Sequence, residues 1–511
     1  MEITLPIQHD PWMINGIETL YTLVEDIEGC RARIHHDHLE IEILNTEMFL
    51  RNFADKIKSM QDLVIFCTKL DDKGQKRYVA KDFVLIQYGK AEKRNVLKEK
   101  LYIDTEQRLN EIFSNLEPGD KMCVLCGRMF KKKVDNLKQA VYPFTTKIRS
   151  LSGVRSMKEY YSNICPLCYL TGTLEWLDRG IVYRCFVGPA SRRYSVVLLP
   201  FEMDLKKLNE AKKRYKHGLN GTDQQVSNVL RVITTKEGEK SIPTEGENTT
   251  TLKFFEDFIS RIMGDLKEEQ AEFDNLLDTV ERTFCKQWSM LIIPSGTVKN
   301  VKYRSLILED ETVALFVELQ REGTQVYRDI VEKLSVMGKQ RRISYDDTND
   351  LRENAAKYII EGDFRKFSRI LLPKKKEISF FGSIDHLDKL IHFWRLRKMG
   401  LDKELENLKK AGQTLARLLE SHLSILYAMD KAKNKQEFFR AFEQASKRLI
   451  GLDAKEREKV YPVPLEDVAD LIIRSDGSQW KEIRDALIVY ASVYLAKMKF
   501  YRDKEAKEGD T

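Results

Sequence analysis

No run of 18 or more apolar residues occurs in the 511-residue chain, so no apolar helix long enough to cross a membrane is expected. The opening stretch, MEITLPIQHDPW, lacks the basic and apolar segments of a secretory signal, so a cytoplasmic protein without a membrane partner is expected. Enzyme signatures are missing as well. Gly238-Glu239-Lys240-Ser241 has neither the spacing nor the Gly-Lys step of a phosphate-binding loop, and no H-E-x-x-H, G-x-S-x-G or G-x-G-x-x-G is present. The sequence therefore makes no positive case for an enzyme. Cysteine is sparse, at 8 residues, which in a cytoplasmic chain argues against a disulfide framework. Cys30, Cys67, Cys185 and Cys285 are scattered and read as small buried hydrophobes.

What is there describes a soluble globular protein of about three domains, with 42% apolar and 32% charged residues. Its net charge of +7 is unevenly spread: residues 121–220 hold 20 Lys/Arg against 7 Asp/Glu, a balance of +13 that leaves −6 for the rest. An asymmetry of this size points to a polyanionic partner, nucleic acid before membrane.

The pattern predicts an α+β fold: a mixed α/β N-terminal part with an inserted four-cysteine zinc knuckle, followed by a C-terminal helical bundle. Four segments are expected: 1–119 (α/β), 120–178 (the zinc-binding insert), 179–345 (an α/β continuation with basic strands and a basic helix) and 346–511 (helical bundle). Helices are predicted over 11–29, 47–60, 95–116, 203–217 and 252–285. Strands are predicted over 31–44, 62–67, 82–88, 180–200 as a pair, 289–294 and 301–308. Residues 235–250 read as a loop, and 312–337 begin β-compatible and then turn helical. Beyond 350 almost no strand signal remains. Trp480, Ile483, Leu487, Tyr490, Tyr494 and Met498 keep helical steps, as do Phe438, Phe442, Ala445 and Leu449.

Cys123-x2-Cys126 and Cys165-x2-Cys168 are separated by 38 residues. Zinc takes four soft ligands in a tetrahedron, and each C-x2-C turn brings two sulfurs to one ion; two such turns leave no position for water. The expected cofactor is structural Zn²⁺, although four thiolates also suit an iron–sulfur cluster. Arg128, Lys131, Lys132 and Lys133 follow the first pair, Lys147, Arg149 and Arg155 lie between the pairs, and Arg192, Arg193, Lys212, Lys213 and Arg214 follow the second. Together they form the expected nucleic-acid surface, since clustered cations neutralise phosphates and release counterions. His35, His36, Asp37 and His38 are the one dense group of further ligands. On a strand, alternate side chains would face opposite ways, and no second histidine group completes a site. His422 falls in register with Leu415, Leu418 and Ile425 and reads as a core-edge histidine.

The pairs MCVLC and NICPLC, set mid-chain before a helical C-terminus, resemble the CXXC–CXXC group of CRISPR-associated large subunits of type I interference (Cascade) complexes, of the I-A or I-B kind. The resemblance rests on residues 120–170 and on overall length and order. It implies a non-catalytic subunit of an RNA-guided antiviral complex that binds guide RNA and target double-stranded DNA. Such a subunit reads the short motif flanking the target and stabilises the opened duplex. The implied partners are the backbone, 5′-handle-binding and small subunits and a recruited helicase–nuclease. Only the cysteines carry over residue by residue. The polymerase-like large subunit of type III complexes is disfavoured because no Gly-Gly-Asp-Asp motif exists. The alternative from another class is a zinc-containing nuclease or RNA-modifying enzyme outside CRISPR systems.

Overall fold

Alternation in the first residues makes a strand: in β1 (Glu2–Pro6) Ile3 and Leu5 are buried while their neighbours face out. Asp10 then starts α1 (Pro11–Val24), its carboxylate accepting from the N–H groups of Trp12 and Met13, with Pro11 in the first turn where no N–H is needed. The computed structural model describes the chain except for residues 61–64, 71–74, 81–91, 136, 138–140, 143–162, 179–193, 217–229, 236–237, 244–245, 268–279, 281–284, 295–301, 339–342, 374–376, 397–399, 452–462 and 509–511.

The fold is α+β, with small antiparallel sheets towards the N-terminus and a C-terminal helical region. It divides into two units, Met1–Glu247 with Arg282–Ile307, and Asn248–Glu281 with Leu308–Thr511. The chain thus passes three times between units, whereas the four expected segments follow one another in order. A change in composition registers the loss of strands, not the crossing of a chain between cores.

In the first unit, β2 (Cys30–Ile34) and β3 (His38–Ile43) form a hairpin whose second strand pairs with β1, giving the order β1-β3-β2. This corrects the single strand expected over 31–44. The two-residue turn His36-Asp37 lacks the Gly or Asn that normally announces such a hairpin. Then come α2 (Thr46–Ser59), the pair β4 (Ile65–Leu70) and β5 (Lys76–Ala80), and α3 (Arg94–Phe113). The strand expected over 82–88 lies outside the described residues. A short hairpin, β6 (Lys121–Met122) with β7 (Met129–Phe130), precedes α4 (Pro166–Leu174). Strand β8 (Tyr194–Pro200) and helix α5 (Leu205–Lys216) follow. Next, β9 (Leu230–Thr235) and β10 (Gly238–Pro243) pair where a loop was expected, because a polar segment, GEKSIP, takes its strand from a partner rather than from its own pattern. Strand β11 (Gln287–Pro294) is flanked by β8 and by β12 (Lys302–Ile307).

The second unit starts with α6 (Glu247–Lys267) and resumes at α7 (Asp310–Arg321), a π-helical turn at Val326–Val331 and β13 (Leu334–Met337). The order is helix then strand, the reverse of the expectation over 312–337. Val313, Leu315, Phe316, Val317 and Leu319 are buried on α7 while Asp310, Glu311, Glu318 and Arg321 share its outer side, but the unbroken apolar run from Val313 to Val317 reads locally as a strand. Helices α8 (Tyr345–Ile360) and α9 (Phe364–Ile370) precede β14 (Glu377–Phe380), which pairs with β13. Then follow α10 (Ile384–Ile391), α11 (Leu405–Leu419), α12 (Leu423–Lys431), α13 (Lys435–Lys447), α14 (Val463–Arg474) and α15 (Gln479–Glu508). The predicted stripe of α15 buries Trp480, Ile483, Leu487 and Tyr490, and Phe438, Phe442 and Ala445 are buried on α13. A Cβ at Gly412 of α11 would lie 2.3 Å from the Cβ of Tyr490, so glycine sets this close approach. His422 is half-buried in the break before α12 rather than on a continuous stripe. No helix among the described residues is long and apolar enough to cross a membrane.

Candidate metal centre

Cys123 leaves β6, and its carbonyl accepts from the N–H of Gly127 at 2.9 Å, closing a tight turn. Gly127 sits at φ +71°, a conformation open to glycine at no steric cost. The second pair is built differently. Cys165 is the N-cap of α4 with Pro166 directly after it, and its sulfur accepts from the N–H of Cys168 at 3.4 Å. The N–H of Cys165 in turn points at the sulfur of Cys123 at 3.3 Å, and that of Val124 at the carbonyl of Asn163 at 3.0 Å, so backbone bonds fix one knuckle to the other.

The four sulfurs lie within 4.8 Å of one another and could hold a metal ion. The Sγ atoms of Cys126 and Cys165 are 3.7 Å apart, against about 3.8 Å for the edge of a tetrahedron with Zn–S bonds of about 2.3 Å. Cys123, Cys165 and Cys168 are buried and Cys126 is half-buried, which makes the group closed. Hydrogen bonds from Cys126, Cys165 and Cys168 hold the Cys123 thiol well below its ordinary range. Cys165 and Cys168, donating to Cys123 and Cys126, are pushed well above it. Four sulfurs this close accept one negative charge readily and four only against a cation.

Outside the ligands, Gln8 Nε2 donates to Cys168 Sγ at 3.4 Å, and Trp12 Nε1 donates to the carbonyls of Val141 at 3.0 Å and Gly172 at 2.8 Å. A Cβ at Gly16 would lie 2.4 Å from the carbonyl oxygen of Thr171, so α1 and α4 cross nearly backbone to backbone. The cysteine knuckle is thereby fastened to the first helix.

The basic residues do not all lie where the sequence placed them. Lys212 is fully buried, its ammonium paired with Glu18 at 2.8 Å and with Asp178, while Asn209 donates to Glu18 at 2.7 Å. This corrects its assignment to the nucleic-acid surface. It faces inward on α5 and neutralises acids of α1 and of the turn after α4, and the coulombic attraction of Asp178 and Glu18 outweighs burial in raising its pKa. Neighbouring Glu175 is also buried, and desolvation pushes its carboxyl well above the usual range. Lys213 is exposed and paired with Glu25 at 3.2 Å, and Lys131 with Glu117 at 3.1 Å; Lys132 is exposed and Lys133 half-buried. The guanidinium of Arg128 donates to the Thr4 carbonyl, tying the knuckle to β1. Lys147, Arg149, Arg155, Arg192 and Arg193 lie outside the described residues, as does the side chain of Arg214. Cys30 and Cys285 are half-buried rather than core hydrophobes; the Cys67 side chain and Cys185 are outside the described residues.

The histidine group departs from expectation too. His35 and His38 face each other across the turn, with the N–H of His35 bonded to the carbonyl of His38 at 2.8 Å, so both side chains share the outer face with Glu40. His36 bonds Asp204, the N-cap of α5, through Nδ1 at 2.6 Å. Comparison with family models, curated proteins and solved structures finds no match to this chain.

Proposed function

We propose that this chain is a non-catalytic, zinc-stabilised, nucleic-acid-binding subunit of an RNA-guided complex, namely the large subunit of a type I CRISPR surveillance assembly. The closed four-cysteine group carries the reading. It gathers two knuckles whose 38-residue intervening segment is rich in lysine and arginine, and so holds a basic excursion at both of its ends. Zinc rather than an iron–sulfur cluster is favoured because four sulfurs within 4.8 Å of one another enclose one ion. A cluster distributes its cysteines over several irons. The exposed pair Lys131–Glu117 contributes only about 0.2–1 kcal/mol, so a phosphate can displace the glutamate and take the lysine. The chain would bind guide RNA and target DNA beside the other Cascade subunits, read the flanking duplex motif, and support recruitment of a helicase–nuclease.

The first test is to purify the tagged chain from its native host in mild salt and sequence the RNA that accompanies it. Short RNAs with one shared repeat-derived end and variable spacers are expected, and their absence sinks the CRISPR assignment. Changing Lys131, Lys132 and Lys133 together to Gln should weaken duplex binding and lower its salt slope by about one for each phosphate no longer neutralised, with melting temperature nearly unchanged. The second reading, a nucleic-acid-processing enzyme, is favoured by the gathering of His35, His38 and Glu40. Under it, H38A should abolish cleavage by the purified chain.

A further inference from the structure

A hairpin that puts two imidazoles side by side above a carboxylate has assembled a ligand set. The ring centroids of His35 and His38 are 4.3 Å apart with planes only 9° from parallel. Both Nε2 atoms turn to the same side chain: His35 reaches one Glu40 oxygen at 3.3 Å, and His38 the other at 3.2 Å. Those separations match the edge, roughly 3.3 Å, of a tetrahedron of ligands about 2.0–2.1 Å from an ion. One ligand atom from each of the three lies within 4.8 Å of the others. The remaining nitrogen of His38, Nδ1, is held by the carboxylate of Asp37 at 2.7 Å. That is the carboxylate–histidine relation that orients a metal-binding imidazole and fixes which nitrogen carries the proton.

The hairpin is also held from outside. His36, between the two ligands, is bonded to Asp204, and the N–H of Leu205 donates to the His36 carbonyl at 3.0 Å. The turn is therefore anchored on the N-terminus of α5 rather than left free at a loop tip. Exposure of the ligand side chains is 38% for His35, 25% for His38 and 46% for Glu40, enough for an ion to enter and keep water in its remaining positions. On the side of Glu40 away from the histidines, a cleft of about 260 Å³ opens, lined also by Glu2, Thr4, Arg31 and Arg33.

We propose that His35 Nε2, His38 Nε2 and Glu40 form a second metal site, taking an exchangeable late first-row divalent cation, zinc foremost. Two nitrogens and one carboxylate oxygen suit Zn²⁺, Ni²⁺ or Cu²⁺ and discriminate against Mg²⁺ and Ca²⁺, which require mostly oxygen. Binding tilts the two rings out of their stack so that both lone pairs meet one ion. Unlike the closed cysteine group, the site is open to solvent and fills and empties with the supply of metal.

The test uses the full chain dialysed against micromolar free zinc at about pH 8, where ordinary imidazoles are neutral, followed by counting zinc per chain. The wild type should hold one zinc more than H35A/H38A, a difference that does not depend on what the cysteines hold. His36→Ala should keep that zinc, and Asp37→Asn should weaken it about tenfold. Circular dichroism of each variant verifies that the fold persists. No difference between the wild type and the double variant overturns the site. Unchanged affinity in Asp37→Asn also overturns it, leaving a chance pair of surface imidazoles. The outcome is independent of which RNA accompanies the chain.

Discussion

The two units are held together in different ways. In the first, an apolar core that includes Ile14, Ile17, Phe49 and Phe53 is supplemented by single directional contacts between helices: the cysteine group, Trp12 on two carbonyls, and Lys212 between Glu18 and Asp178. In the second, long apolar stripes do most of the work, with α11 and α15 meeting at Gly412 and Tyr490. Its charges gather where Arg365 bridges Asp485 at 2.6 Å and Asp430 at 2.7 Å, and Arg365 is itself 28% exposed. A stripe spreads its stabilisation over many small contacts, so the removal of one costs little. A buried polar anchor concentrates its contribution in one contact, so its removal costs more.

Metal removal should therefore give the largest contrast. Structural zinc contributes on the order of 10–16 kcal/mol in finger peptides, so a strong chelator should unfold the surroundings of the knuckle. Hydrogen exchange is expected to accelerate in α4 and in β6–β7 while α15 keeps its protection. Equal acceleration in both would show the contrast to be mistaken. Next comes Lys212→Met, which leaves Glu18 and Asp178 buried without their cation and should cost about 3–5 kcal/mol in denaturant titration. Arg365→Met, acting on a partly solvated group, should cost clearly less. A matching loss in the two variants would erase the distinction.

The effect that is smallest per step, a slope of stability with pH, belongs to the second unit. Burial pushes the Glu256 carboxyl up to about 8 from an ordinary 4.5, although it accepts from the N–H groups of Val326 and Tyr327. The folded chain then holds this proton more tightly than the unfolded one. Its contribution is fully present below about pH 4.5 and is lost as pH rises through 8, by up to about 1.4 kcal/mol per pH unit. E256Q should flatten that slope, and a slope unchanged in the variant would assign it to other groups.

Legibility in the sequence followed the same divide. The helices of the second unit were readable because their stripes repeat at a fixed step, except α7, whose unbroken apolar run from Val313 to Val317 reads locally as a strand. The four cysteines were readable because C-x2-C is a local spacing and two such pairs suit one four-coordinate ion. The inward turn of Lys212 was not, since its partners are at 18 and 178, far away in the chain, and a basic helix reads as a solvated face until its acids are found. The opposition of His35 and His38 was hidden by a turn lacking glycine and asparagine. Glu40, two residues on, became visible as a ligand only once the hairpin was in place.

The separation of the two knuckles also sets a clock on synthesis. Cys168 follows Cys123 by 45 residues, so at about 5–20 residues per second the first pair emerges roughly 2–9 seconds before its last partner. During that interval a C-x2-C dithiol stands half complete, able to hold an ion weakly or to oxidise to a disulfide. Under the proposed zinc reading, translation speed and the zinc supply thus compete with oxidant for each newly made chain. A ribosome that pauses between the knuckles lengthens the exposure, and a fast one shortens it.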